Sequence, residues 1–460
     1  MDNPGIATIL PELNALLGSR VTTSASEREH HAHGESYHRS PPPDAVCYPE
    51  STDDVVAIVK LCARHRVPLI PFGAGSSLEG HVDAVRGGIS MDMRLMNKIL
   101  AVNADDLDAT VQAGVTRKTL NAHLRDKGLF FSVDPGADAS IGGMCATRAS
   151  GTTAVRYGTM RENVVSLTVV TPDGEVVRTS RRARKSAAGY NLTNLFVGSE
   201  GTLGVIVEAT VRLHGIPEAV GAAVCPFPTI EATIRTVVDT IQMGIPIAKM
   251  EYLDEQTIQL VNETGGTHYA ETPTLFLEFS GSEAQVAEQT ASVRAIAEEH
   301  GALSWTSARD ADERAKLWHA RAMFHLAGKA RIPNGSMMGL DVCVPISRLP
   351  ECVHRAHEIT RGMPFIVTML GHVGDGNLHL GIILDPTNAE HMRLARKLNE
   401  EIVNVAIDLD GTCTGEHGIG TGKIKYMRRE HGNAIGVMQK IKAALDPLGI
   451  MNPGKVLPED

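Results

Sequence analysis

Phe72-Gly73-Ala74-Gly75-Ser76-Ser77-Leu78-Glu79-Gly80-His81 follows directly on Val67-Pro68-Leu69-Ile70-Pro71. The apolar run reads as a strand and the next ten residues as a glycine-rich loop. Glycine lets a backbone approach an anion closely and present successive N–H groups, so a strand feeding such a loop is a natural pyrophosphate site. Gly73, Gly75 and Gly80 fit that part. Their spacing, GxGxxxxG, matches neither the dinucleotide GxGxxG nor the P-loop GxxxxGK[ST]. The chain that follows also lacks the helix both motifs need, because Ile89–Met93, Ile99–Val102 and Ala109–Ala113 keep a short β-like pattern. A Rossmann-type NAD site is disfavoured.

Local signals place the neighbouring elements. Ser51 caps a helix with an apolar face (Val55, Val56, Ile58, Val59, Leu61) that ends near Arg66, and Thr116 caps another, carrying Leu120 and Leu124, that stops at Gly128. A second glycine-rich stretch, Asp134–Gly158, is expected to be loop and short helix. Val164–Thr171, Pro172-Asp173-Gly174 and Glu175-Val176-Val177 read as a hairpin. A third cluster, Gly198-Ser199-Glu200-Gly201-Thr202-Leu203-Gly204, precedes the strand Val205–Leu213. One such loop is an ordinary turn. Three of them between Gly73 and Gly204 suit a long ligand with adenine, pyrophosphate and an extended ring system, and FAD is such a ligand.

Pro217 marks the first boundary. Beyond it, strands such as Leu275–Phe279 alternate with long helices such as 283–299. Glycine motifs return in Cys413–Gly420 and Asp446–Lys455, which suggests a tail that comes back to the first domain. The expected division is 1–217, 218–410 and 411–460.

Composition narrows the partners. Of 460 residues, 43% are hydrophobic and 21% charged, with a net charge of −10, a globular balance that argues against nucleic acid, whose nonspecific binding needs many cations. The seven cysteines are scattered and never form a CxxC pair, which points to a reducing compartment. Met1-Asp2-Asn3-Pro4 opens no signal peptide, and no run is long and apolar enough for a membrane span. A cytoplasmic protein is expected, with a place at the membrane periphery left open. The basic run Arg178…Arg181-Arg182-Ala183-Arg184-Lys185 is read as a solvated loop rather than a contact for a membrane or an acidic acceptor. His30, His31, His33 and His38 are read as solvated too.

His372 and His379 bracket a turn. If Asp375-Gly376 is a two-residue hairpin turn, the two histidines pair directly, with Cβ atoms about 4.5–5.5 Å apart on one face. That is bidentate metal geometry. Glu416, between Gly415 and His417-Gly418, is the strongest third ligand, and two histidines with one carboxylate leave positions open on Zn²⁺ or Mn²⁺ acting as a Lewis acid.

Six segments carry a resemblance: PFGAGSSLEGHV (71–82), VDPGADASIGGMCATRASGTTAVRYGTM (133–160), NLFVGSEGTLGVI (194–206), GHVGDGNLH (371–379), GTCTGEHGIG (411–420) and DPLGIMNPGK (446–455). In this order they resemble the flavoprotein D-lactate dehydrogenases that pass electrons to respiratory acceptors. These belong to the vanillyl-alcohol-oxidase or PCMH group, with glycolate oxidase and D-2-hydroxyglutarate dehydrogenase. The resemblance implies an α+β chain: a PCMH-type FAD-binding domain, an α/β cap (substrate) domain and a C-terminal segment returning to the flavin site.

The same resemblance implies residues for non-covalent FAD. Pro71, Phe72, Gly73, Ala74, Gly75, Ser76 and Ser77 would hold the pyrophosphate. Pro135, Gly136, Ile141, Gly142, Gly143, Thr147, Ser150, Gly151, Tyr157 and Gly158 would wall the flavin. Glu200, Gly201, Gly204, Val205 and Ile206 would line the adenine side, and Asn452 would approach the flavin from the tail. His81 is read as a loop histidine, not a covalent attachment point.

By the resemblance His417 is the base and Arg321 the carboxylate-binding arginine, a task suited to a guanidinium fork. The metal site is completed by His372, His379 and Glu416. The expected reaction oxidises a small D-2-hydroxy acid, D-lactate to pyruvate, with electrons passed to a cytochrome, a quinone or an electron-transferring flavoprotein. Glycolate and D-2-hydroxyglutarate are the alternative substrates. Dicarboxylate-using relatives carry a lysine where this chain has Gly339, which favours a monocarboxylate. A metal-dependent hydrolase using His372, His379 and Glu416 ranks far lower because it leaves the glycine loops without a purpose. Oligomeric state stays open.

Overall fold

Leu69–Phe72 is a strand, and it lies parallel to Ile89–Asp92 with no helix in the sixteen residues from 73 to 88. The computed structural model describes residues 4–459; Met1-Asp2-Asn3, which open the stretch read for a leader, lie outside them. No helix among the described residues is long and apolar enough to cross a membrane.

The chain divides into two units. The first comprises Met1–Gly151, Tyr157–Ile216 and Glu416–Asp460. One of its sheets has the spatial order Val21–Thr22, Ala45–Cys47, Ile89–Asp92, Leu69–Phe72. Met451 pairs with Leu69 at the edge, where the Asn452 amide donates to the Leu69 carbonyl at 2.9 Å. The second sheet runs Ile99–Asn103, Asp108–Gln112, Val205–Arg212, Val164–Val170, Val176–Arg178, antiparallel throughout.

Helix Thr52–His65 forms where its signals predict. Ser51 accepts the Asp54 amide, and Arg66 ends it in the left-handed region. Its buried face, Val55, Ile58, Val59 and Leu61, joins Leu69, Ile89 and Met91 in one core cluster, each such side chain contributing about 1.5–3 kcal/mol of hydrophobic stabilisation. Thr116 likewise caps Arg117–Leu124, and Asp134–Gly158 holds only the short helices Ile141–Thr147 and Ala154–Tyr157.

One reading of the N-terminal stretch is corrected. His31 is fully buried: Nδ1 meets the Glu27 carbonyl at 2.7 Å, Nε2 meets Asp92 Oδ2 at 2.9 Å, and the ring packs on Phe72 at 4.5 Å. Local polarity suggests solvent, but Asp92, brought in by strand pairing, supplies the partner a buried imidazole needs.

The second unit, Thr152–Arg156 with Pro217–Gly415, is built on a seven-stranded antiparallel sheet. Its order is Thr306–Ser307, Ala219–Pro226, Thr274–Gly281, Lys249–Leu253, Ile366–His372, Asn377–Leu384, Ser336–Cys343. Helices Glu255–Gly265 and Ala311–Ala330 bury Ile258, Leu260, Val261, Leu317, Ala320 and Phe324 with Phe276 and Ile383 of the sheet.

The expected two-residue turn at Asp375-Gly376 is also corrected. A single 3-10 turn, Val373–Asp375, precedes Gly376 at φ +81°, and Leu370, not His372, pairs with His379. A Cβ on Gly376 would lie 2.0 Å from the Val344 carbonyl oxygen, so only glycine closes this turn. The register differs by two residues, an even shift, so both histidines stay on one face. Their ring centroids are 5.0 Å apart.

Asp254 caps helix Glu255–Gly265, its Oδ1 accepting the Thr257 amide at 2.8 Å. Burial pushes its pKa up to about 7. An acid with a folded pKa above the unfolded value of about 3.9 costs stability progressively as pH rises between the two. Asn caps as well as Asp, so Asp254→Asn is expected to stabilise the protein more at about pH 8 than at about pH 5. Thermal melts at both pH values check this, and a pH-independent difference would refute it.

Candidate active site

In the first unit, the strand Leu69–Phe72 delivers Pro71 and Phe72 to the start of the loop, with Phe72 buried against His31. Among the described residues, the amides of Ala74, Gly75, Ser76 and Ser77 donate to no protein acceptor, and the Ser77 hydroxyl is buried without a partner. A row of uncommitted N–H groups is what a phosphate needs. Gly73 lies against the second glycine stretch: a Cβ there would come 2.4 Å from Ser140 Oγ. Ser140 in turn caps Ile141–Thr147, the helix that carries Gly142 and Gly143.

The remaining residues divide by what their side chains do. Gly136 has open space where a Cβ would stand, and Gly151 backs onto the Asp134 carbonyl. Pro135 is half-buried and Ser150 buried. Thr147 Oγ1 donates to the Gly143 carbonyl at 3.1 Å, so it is turned onto its own helix. The Tyr157 ring packs on His214, centroids 4.6 Å apart, and Gly158 turns at φ +76°. Gly201 abuts Pro71 and Gly204 abuts Val169. Val205 and Ile206 point into core clusters, so a ligand there would meet backbone.

Glu200 and Asn452 are occupied within the protein. Glu200 Oε1 accepts the Ile419 amide at 2.7 Å and Oε2 the Gly420 amide at 2.8 Å. His81 Nε2 lies 3.4 Å from Glu200 Oε2. His81 is 4% exposed, so the loop histidine is in fact buried. Burial opposes its charge, but Glu200 outweighs that and holds the imidazole pKa above its usual value. Asn452 Nδ2 donates to the carbonyls of His81 and Glu200 at 2.9 and 2.7 Å, while its Oδ1 is buried with no partner among the described residues.

In the second unit, each histidine faces a buried carboxylate on the neighbouring strand. Glu251 pairs with His372 across the sheet, with Oε1 2.5 Å from Nδ1. Asp341 pairs with His379, with Oδ1 3.7 Å from Nδ1. Arg321, on helix Ala311–Ala330, donates from Nη2 to Glu251 Oε2, and its Nε is buried with no acceptor among the described residues. Burial pushes the Glu251 carboxyl up, yet His372 and Arg321 together hold it below its usual value. Asp341 also accepts Asn377 Nδ2 at 2.6 Å and Thr414 Oγ1 at 2.7 Å.

Carboxylates that orient imidazoles are the usual outer shell of a metal site. The His372 and His379 rings stand edge to face with centroids 5.0 Å apart, and Glu416 follows Gly415 in the chain. Asp254, Glu255 and His357 each offer one ligand atom, all within 4.8 Å of one another, but that group joins a helix cap to an exposed glutamate. Sequence reading missed Glu251 and Asp341. The available signal was an acidic residue inside an otherwise apolar strand, in Lys249–Leu253 and in Ser336–Cys343.

Comparison with known proteins agrees with this architecture. A family model described as FAD binding domain matches residues 43–180, and one described as FAD linked oxidases, C-terminal domain, matches residues 216–456. A probable mitochondrial D-lactate dehydrogenase of Danio rerio is 48% identical over 441 residues, covering 95% of this chain and 89% of that protein. The mitochondrial D-lactate dehydrogenase (cytochrome) of Arabidopsis thaliana is 45% identical over 453 residues, covering 98% and 80%. The solved structure of p-cresol methylhydroxylase with substrate bound has a TM-score of 0.80 at 16% identity, covering 99% of this chain and 97% of that one, a likeness of fold alone. The α+β architecture is thus of the PCMH type, and the chain belongs to the FAD-linked oxidases, as a flavoprotein oxidoreductase of the group that contains the D-lactate dehydrogenases.

Proposed function

We propose that this flavoprotein oxidises a small D-2-hydroxy acid, D-lactate to pyruvate, at His417, Arg321 and a divalent metal held by His372, His379 and Glu416. The observation that carries the reading is the pairing of each histidine with a buried carboxylate, Glu251 and Asp341, with the two imidazole rings 5.0 Å apart between centroids. With Nδ1 of His372 on Glu251, the ion would be met by Nε2, the tautomer the network selects. Zn²⁺ or Mn²⁺ bound there supplies Lewis acidity toward the substrate hydroxyl. FAD supplies the two-electron acceptor for the α-hydrogen; the uncommitted amides of residues 74–77 support the placing of its pyrophosphate there.

The chain's own groups do the rest. Arg321 spends one nitrogen on Glu251 and offers its remaining donors to the substrate carboxylate. Glu251 therefore sets the orientation of Arg321 and His372 together. His417 accepts the hydroxyl proton as general base.

Gly339 lies on strand Ser336–Cys343 opposite Gly381, and neither residue offers a cation to a second carboxylate. A buried polar group without a partner costs about 1–3 kcal/mol, so kcat/KM for D-2-hydroxyglutarate is expected to be roughly 10- to 100-fold below that for D-lactate. Anaerobic titration of the flavin absorbance with D-lactate, L-lactate, glycolate and D-2-hydroxyglutarate tests this. Equal bleaching by L-lactate, or none by any D-2-hydroxy acid, would overturn the function proposed.

A cytochrome is the proposed electron acceptor, supported by the name of the Arabidopsis relative. Seven free cysteines support a reducing compartment, and both relatives named above are mitochondrial.

A further inference from the structure

We infer that Glu200, backed by His81, is a positioning residue for His417, holding the base in place through the backbone that follows it. The inference rests on the role proposed for His417 above and adds a residue to that site, since the side chain otherwise expected on the adenine side is engaged with the tail.

The segment that carries Glu416 and His417 has no regular structure of its own: no helix or strand lies between Asp408 and Ile424. Its geometry must come from outside contacts. One is the Glu200 carboxylate, whose two oxygens take the amides of Ile419 and Gly420, two and three residues beyond His417, at 2.7 and 2.8 Å. Hydrogen bonds from N–H groups to a charged acceptor are about twice as strong as neutral ones, and here they form with Glu200 only 6% exposed. Gly418 turns at φ +81°, and a Cβ there would stand 2.5 Å from His81 Nε2 and 2.7 Å from Glu200 Oε1. The turn after the base is therefore pressed directly onto the Glu200–His81 pair.

Two further observations show that the clamp is itself held. Glu200 has φ +53°, a strained value for a residue with a side chain, and Asn452 Nδ2 secures it by binding the carbonyls of Glu200 and His81 together. The Glu79 carbonyl then takes the amides of Thr421 and Gly422 at 2.8 and 3.1 Å. Strain maintained by surrounding bonds, directly behind a proton-transfer group, fits a positioning role. A general base must sit within hydrogen-bond reach of its proton, and a displacement of about 1 Å can cost about 100-fold in rate.

The test is Glu200→Gln in the holoprotein. Glutamine keeps the shape but sets an NH2 against a backbone N–H. The expected result is undiminished flavin content, a substrate dissociation constant within about twofold of wild type, and a flavin-reduction rate constant about 10- to 100-fold lower. Amide hydrogen exchange at residues 419–420 should accelerate. Wild-type reduction and exchange would overturn the inference. So would loss of flavin with unchanged exchange, which would make Glu200 a cofactor contact. If Glu200→Gln fails to fold, Gly418→Ala, which drives a methyl into the pair, is expected to give the same two changes. A wild-type protein whose flavin no D-2-hydroxy acid reduces removes the oxidation reading alone; exchange at residues 419–420 still decides whether the clamp exists.

Discussion

His417→Gln is expected to lower the rate constant for flavin reduction by D-lactate about 10²- to 10⁴-fold, the usual worth of a positioned general base. Flavin absorbance should be retained, because the loop amides proposed to hold the cofactor lie in other segments of the chain. Substrate affinity should change little, since Arg321 and not His417 is assigned the carboxylate. Stopped-flow reduction at saturating D-lactate separates these quantities: the rate constant falls while the half-saturation concentration stays. Wild-type reduction in this variant would exclude His417 as the base. A proportional loss of affinity would mean that it anchors substrate instead.

Glu251→Ala is expected to produce the largest combined loss of stability and function. The carboxylate is fully buried and serves two partners, the Arg321 guanidinium and the His372 ring. Removing one member of a buried pair leaves the other charge uncompensated, at a cost of about 3–5 kcal/mol. It also frees the His372 ring that the carboxylate orients, and the loss of such outer-shell partners lowers metal affinity or activity by about 10- to 100-fold. Calorimetric unfolding together with metal analysis after dialysis measures both effects. Glu251→Gln, which keeps the shape and an acceptor oxygen, should recover part of the stability but less of the metal binding. Unchanged melting and full metal content in Glu251→Ala would show that the His372–Glu251 contact supports neither fold nor ion.

Much of the architecture was legible in the sequence because its determinants are local. Ser51 and Thr116 begin their helices through side-chain oxygens that bind amides three residues on, and Gly128 ends the second region in the left-handed conformation. The absence of a helix after Gly75 was legible too, since a short alternating pattern follows. Family motifs carried FAD and the ordering of the glycine loops. The hairpin at Asp375-Gly376 shows where this reading ends: whether two residues or a 3-10 turn close it depends on the Val344 carbonyl that packs against Gly376. The histidines were nevertheless assigned to one face correctly, because strand parity survives a shift of two.

Contacts between distant segments were not legible. His31 lies in a run of polar residues, and only Asp92, sixty-one residues on, makes its burial affordable. Glu251 and Asp341 are single acidic residues in apolar strands, and their partners follow from sheet order rather than from sequence spacing. Glu200 stands in a motif that resemblance ties to the cofactor, yet its carboxylate meets amides from the tail. By itself, then, the sequence determined the helix caps, the strand-and-loop pattern and the presence of a histidine pair, all set by neighbours within a few residues. Only the tertiary structure decided which buried carboxylate each histidine and amide would meet, because an unpaired charge in the interior is too costly to persist and its partner is supplied by whichever strand or loop the fold brings beside it.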